Sequence, residues 1–324
     1  MKKFLSLTVL LLLACVSPES KAKRVLDRGL TDASPIIRVS AAKSLMELGD
    51  TRGNEVLKEM AVDGEPDMQV TALNALYEAG QTELDPVIIS LCNSPSTQVR
   101  EAAYRIAASS DAQEARTILL QGVDDEYTRV REVAYSGLAR LEEMDALLQG
   151  LRDPEPQVRI AVARTLGKLG AEGMSEFIRD ELKRFQPDLW GRGIKALAEL
   201  GDTTAVPLLM RLLQEGTEEL RVDAAEALLI LNDESGVPVL LRSLRSKDPF
   251  VRIRTVEVLK RHDVPSSYDV LKVATVDEYI NVAVKAVEAL AKHDAENQRK
   301  HFVELMDSSN VLLRISAAAA YLRI

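Results

Sequence analysis

Two of the three histidines sit in a setting that could bind metal. His262-Asp263 and His293-Asp294 are the same dipeptide, 31 residues apart. Imidazole beside carboxylate, repeated at fixed spacing, could offer two half-sites to one ion. Both pairs also close apolar-periodic segments, where a cation favours a helix C-terminus and aspartate can cap the next helix. The expected role is therefore structural, with no metal and no other cofactor. Cys92 ends the apolar run VIISLC and is expected to be a buried, inert thiol. The chain has no Gly-rich phosphate loop, zinc-spaced Cys/His set or serine nucleophile elbow. Its carboxylates are spread along its length. No enzymatic activity is expected.

Cys15 has a different prospect. Lys2 and Lys3 precede an apolar run, Phe4 to Leu13, that is short for a membrane span. The run ends Leu12-Leu13-Ala14-Cys15, which resembles a bacterial lipobox. That resemblance implies cleavage before Cys15 and lipidation of its thiol. Residues 1–14 are then a signal peptide, 15–20 a lipidated cysteine with a short tether, and 21–324 the body. The protein would be a lipoprotein of the cell envelope. Val16 after the cysteine, by the enterobacterial sorting rule, points to the outer membrane, facing the periplasm in a cell with two membranes. A formal charge of −9 argues against nucleic acid as a partner and against lying flat on anionic lipid.

The interval between the His-Asp pairs also spaces the rest of the chain. A phrase of the form apolar–Arg–x–x–Ala–x–x–x–Leu opens at Ile37, Met68, Val99, Val130, Val158, Leu189, Leu220, Val251, Val282 and Leu313. Every gap is 31 residues except the 28 from Val130 to Val158. Within one copy, Val158, Val162, Leu166 and Leu169 make a single apolar stripe on a helix. Prolines precede that helix and Gly170 follows it, as helix boundaries require. A shorter apolar run such as VPLLMRLL (206–213) lies between copies. Each unit is thus two antiparallel helices, A and then B, and no strands are expected. One pair cannot bury its own stripe, whereas ten stacked pairs make one continuous core.

The unit resembles a HEAT repeat, and its period and VR…A…AL phrase are most similar to the phycobilisome-lyase HEAT-like type. The resemblance spans residues 20 to 324. It implies an all-α, right-handed solenoid of about ten two-helix repeats that serves as a scaffold or adaptor. Ten layers predict a curved rod on the order of 100 Å long. A related iron enzyme, deoxyhypusine hydroxylase, relies on His-Glu pairs, and this chain has no such dipeptide. Alternatives to the scaffold are a HEAT-like lyase or hydroxylase using a chromophore or metal, and a passive spacer.

Three sets of positions are defined by the period. The residue after the opening position is Arg38, Arg100, Arg131, Arg159, Arg221, Arg252 and Arg314 in seven copies. Acids recur five residues before the opening position, at Asp32, Asp63, Asp125, Asp153 and Asp277, with Glu215 in the seventh copy. An Arg–Asp ladder tying repeat to repeat is expected. Arg105, Arg140, Arg164, Lys168, Arg192 and Lys195 are expected to form a basic groove on helix B that holds an acidic protein partner. Trp190 replaces the ladder arginine in the sixth copy and is a candidate hot spot. The last copy ends the chain inside its helix B with alanines outward, so its end is expected to fray, to contact another protein or to self-associate.

Overall fold

A computed structural model describes residues 17–82, 86–184 and 189–324. The signal sequence and Cys15 lie outside the described residues. Ten helix pairs follow one another, and no strand occurs among the described residues. The A helices are α1 (Pro18–Leu30), α3 (Thr51–Asp63), α5 (Pro86–Leu91), α7 (Gln113–Gly122) and α9 (Met144–Gly150). They continue with α11 (Met174–Arg184), α13 (Val206–Glu215), α15 (Val237–Ser243), α17 (Tyr268–Ala274) and α19 (Ala295–Leu305). The B helices are α2 (Pro35–Glu47), α4 (Pro66–Glu78), α6 (Thr97–Ser109), α8 (Thr128–Arg140) and α10 (Pro156–Lys168). They continue with α12 (Trp190–Glu199), α14 (Glu218–Ile230), α16 (Pro249–Arg261), α18 (Ile280–His293) and α20 (Val311–Leu322).

Local sequence sets these boundaries. Proline occupies the first turn of α1, α2, α4, α10 and α16, where its missing N–H costs nothing. Ser17 caps α1 by accepting from the Ser20 amide, so the helix includes Pro18, Glu19 and Ser20. This takes three residues from the expected tether. Helix B commonly ends in a left-handed residue twelve positions after its opening one: Gly49, Gly80, Gly170, Gly201 and Asn232. At the shortened 28-residue connection that position is Glu142, with φ 57°. A non-glycine residue there costs roughly 1–2 kcal/mol, which the Glu143 amide offsets in part by bonding to the Leu138 carbonyl at 3.0 Å.

The layers do not form an open rod. Helix α20 packs against both α1 and α2, so repeat 1 takes the place of an eleventh layer and the chain closes into a ring. The core passes through this seam: Ala22, Leu26, Ala41 and Leu45 share one buried cluster with Ile315, Ala317, Ala318 and Ala320. A side chain on Gly29 would meet Ala41 Cβ at 2.6 Å and Ile315 Cδ1 at 3.1 Å, so glycine permits the close approach of α1. The C-terminal helix is therefore covered by the protein's own first repeat, which corrects the expected free or self-associating end. Ala319 is 4% exposed. With layers roughly 9 Å apart, ten of them set the inner helix axes on a circle of about 14 Å radius.

Candidate functional site: the inner face of the ring

Successive B helices touch all the way round, while A helices pack mainly on B helices. The inner rim is therefore built from helix B. It carries the residues three, six and ten positions after each opening residue. Side chains there reach over intervening layers: Arg192 Nη1 donates to both Glu132 oxygens at 2.9 Å, two repeats back. Across the seam Lys43 lies 3.9 Å from Glu288, over the small Ala319 layer.

The expected basic groove is instead a belt of matched charges. Arg164 and Lys168 both pair with Glu199, the former at 3.5 Å. Lys195 pairs with Glu226 at 3.2 Å. Arg105 donates to Asn74 at 3.0 Å and pairs with Glu101. Arg140 donates to the Ala108 carbonyl at 2.9 Å and pairs with Asp111. The same pattern extends past these repeats in Arg254–Asp223, Lys285–Glu257 at 2.7 Å, Lys43–Glu78 and, closing the ring, Arg323–Glu47. A cation already held by a carboxylate offers little to an acidic partner, so this surface is not a simple electropositive track. Several counter-ions stand 31 or 35 residues from their cations, one period or one period plus a helical turn. That spacing is readable in the sequence.

Glu226 is the most enclosed member of the belt, with its side chain 4% exposed. Burial alone would raise its carboxyl pKa. Hydrogen bonds from His262 and Arg261, with the Lys195 charge, outweigh that and hold it at about 2. Burial dominates at neighbouring Asp223 and raises its carboxyl pKa despite Arg254. Glycine at 191 leaves room here for Asp223, whose Oδ2 would lie 2.3 Å from a Cβ. Glycine at 193 gives way to Leu182 in the same fashion. The odd sixth copy is thus shaped by its neighbours. Trp190 is half-buried and packs on the core.

The ladder positions divide into two groups. Arg100 bonds Asp125 at 2.8 and 3.0 Å, Arg131 bonds Asp153 at 2.8 and 2.9 Å, and Arg252 bonds Asp277 at 2.8 Å twice. Each carboxylate also accepts the amide two residues on, fixing its own turn. Arg159, facing a repeat whose acid position holds Arg184, finds Glu181 at 2.6 Å. Every one of these arginines also donates to carbonyls of its own preceding turn. Arg38, Arg221 and Arg314 keep that second contact but have no carboxylate partner among the described residues. Among the described residues Asp63 has no ion pair, and Asp32 accepts only the Ser34 amide.

The histidines serve the scaffold. His293 Nε2 lies 2.8 Å from the Lys260 carbonyl, and His301 Nε2 lies 2.8 Å from Thr275 Oγ1. No group of three His, Cys, Asp or Glu is placed to hold a metal among the described residues. Cys92 is 4% exposed, and burial pushes its thiol up to about 12.

One recess of the inner face lies at the seam. A cavity of about 330 Å³ is bounded by α2, α4, α18 and α20. Its lining includes the small side chains Ser40, Ser44, Thr71, Ser316, Ala319 and Ala320 together with Ile36, Leu312, Lys43 and Glu288. It exists only because the ring closes.

Among curated proteins there is no match. Three solved structures align along most of the chain. An engineered protein is 19% identical, covering 94% of this chain and 98% of that one, with a TM-score of 0.34. The complex of CpcE and CpcF of phycocyanin lyase from Nostoc sp. PCC7120 is 17% identical, covering 95% and 96%, at 0.31. Importin beta is 15% identical, covering 92% of this chain and 44% of its own, at 0.32. Family models described as HEAT repeats match residues 54–139 and 175–260, and a further HEAT repeat model matches 144–172. Those matches take in more than half of the sequence, and with its ten stacked helix pairs this chain belongs to the HEAT-repeat family.

Proposed function

We propose that this protein is a non-enzymatic scaffold of the bacterial envelope, tethered by a lipid on Cys15, that captures a protein partner at the inner face of the seam. HEAT-repeat folds generally mediate protein–protein contact, and the scaffold reading rests on that. The observation that carries the choice of site is the seam cavity, a recess of about 330 Å³ lined by α2, α4, α18 and α20 where the ring closes. Its small hydroxyl and methyl walls suit an inserted loop or helix end of mixed polarity. An acidic partner has less support, since Arg105, Arg140, Arg164, Lys168, Arg192 and Lys195 each contact a carboxylate, with Arg164 and Lys168 sharing Glu199. The lipobox-like LLAC sequence supports the tether, which would hold the ring at the membrane.

A photo-crosslinking residue at Ser40, facing the cavity, is expected to trap a discrete protein in intact cells. The same residue at Lys300, where the side chain is 92% exposed on the outer layer, should not. Filling the recess with Ala319→Trp should cut the Ser40 adduct at least tenfold while the purified ring stays helical. Equal adducts at both positions, or an adduct indifferent to the tryptophan, would overturn the site and favour a passive spacer.

A further inference from the structure

The repeats act as controls for one another, and one edge of repeats 8 and 9 departs from the rest. Nine residues before each opening position, at the end of helix A, nine copies carry a polar or charged residue. The ninth copy carries Val273. Six residues before the opening position the pattern is similar, with Val276 in the ninth copy and Val62 the other apolar exception. Val273 is 71% exposed and Val276 69%, so neither contributes to the core. Phe250, at the start of α16, is 69% exposed. Its ring lies 6.3 Å from that of Tyr279 in the next turn, tilted by 59°, which joins the two turns into one apolar patch.

Cations surround this patch. Arg242 and Arg245 occupy in repeat 8 the same two positions that Val273 and Val276 occupy in repeat 9. With Lys247 and Lys272 they are exposed, and none of the four has an ion-pair partner among the described residues. The inner face shows the opposite habit, with its cations matched to carboxylates. The acids of the two turns are Asp248, which accepts the Phe250 amide, Asp277, held by Arg252, and Glu278, 3.7 Å from the same guanidinium. The start of the chain also meets this edge. Lys21, in the first turn of α1, pairs with Asp307 in the α19–α20 turn, one layer along.

We propose that this edge docks on an anionic lipid surface, with Phe250, Val273 and Val276 entering the headgroup region and Arg242, Arg245, Lys247 and Lys272 meeting lipid phosphates. Apolar side chains set among unpaired cations are the composition that binds such interfaces. The chain's net charge of −9 does not prevent it. Screening confines each charge to about 10 Å at 0.1 M salt, so the local basic cluster governs contact. Lipidation of Cys15 is not required for this contact. The ring is then held edge-on, with repeats 8 to 10 and the first turn of α1 against the bilayer.

The test uses residues 17–324, the closed ring without leader or anchor, sedimented with vesicles of equal phosphatidylcholine and phosphatidylglycerol. Binding is expected there, with at least tenfold less to pure phosphatidylcholine. The triple variant Phe250→Ser, Val273→Ser, Val276→Ser should weaken it at least tenfold, as should Arg245→Glu with Lys247→Glu. Val62→Ser should leave binding unchanged, and all variants should melt as the parent does. Absence of binding to the anionic vesicles, or binding indifferent to the triple variant, would overturn the proposal. So would a lipid-indifferent patch whose triple variant abolishes a crosslink to a protein in cells.

Discussion

The interface between repeats 4 and 5 and the seam between repeats 10 and 1 do the same job by different means. At the first, Arg131 and Asp153 form a two-point ion pair whose side chains are 10% and 3% exposed. The carboxylate fixes its own turn and the guanidinium reaches two carbonyls of the turn before. At the seam the equivalent residues, Arg314 and Asp32, each satisfy only their own turn and leave each other alone. Closure there rests on alanine and leucine packing, with Lys21–Asp307 and Arg323–Glu47 at the margins. Apolar burial is thus sufficient to join two layers. The ladder adds geometry, since a bidentate pair tolerates little rotation. The seam is one of the layer contacts without a two-point rung, and the cavity sits beside it.

The largest effect should come from breaking the seam. Ile315 is fully buried and touches the position of Gly29. Ile315→Asp places an unpaired charge in that contact, a cost of roughly 4 kcal/mol or more. The ring should open into an arc, with a larger radius of gyration in solution scattering and most helicity kept. A variant that stays as compact as the parent would show that other contacts hold the closure.

Removing a ladder arginine should separate the two kinds of interface. Arg131→Ala strands the buried Asp153 carboxylate and should cost about 3–5 kcal/mol in chemical denaturation. Arg314→Ala removes only carbonyl contacts and should cost about 1 kcal/mol. Equal losses would erase the distinction between ladder and seam.

A smaller, stabilising change would sharpen the comparison. Arg221 Nε is buried without a partner, and the acid position of the next repeat holds Ser246. Ser246→Asp should restore the missing rung, capping Asp248 as the serine does and pairing with Arg221. A gain of about 1 kcal/mol in unfolding free energy is expected, more clearly with Glu218→Gln to relieve the adjacent carboxylate. No gain would mean that the carbonyl contact already satisfies this arginine.

Much of the molecule was legible one repeat at a time. The period, the all-helical class, the proline starts, the left-handed end at Gly170 and the burial of Cys92 depend on contacts within about 31 residues. The two columns of the ladder were visible for the same reason, although the vacancies at Arg38, Arg221 and Arg314 were not. The charge belt was half legible. Its cations were picked out as a groove, but a cation and an acid 35 residues apart meet only if adjacent B helices are offset by one turn. Sequence periodicity leaves that offset undetermined.

Closure belonged to the tertiary structure alone. Each layer turns by a small angle set by the bulk of A against B, and no single window encodes whether ten such angles complete a circle. A few degrees less per layer would leave an open rod with its alanine-lined last helix exposed. The sequence determined what each layer is made of, because helix formation and capping are local. The sum of the rotations decided that the last layer meets the first, and with that placed the cavity, the inner belt and the chain start where they are.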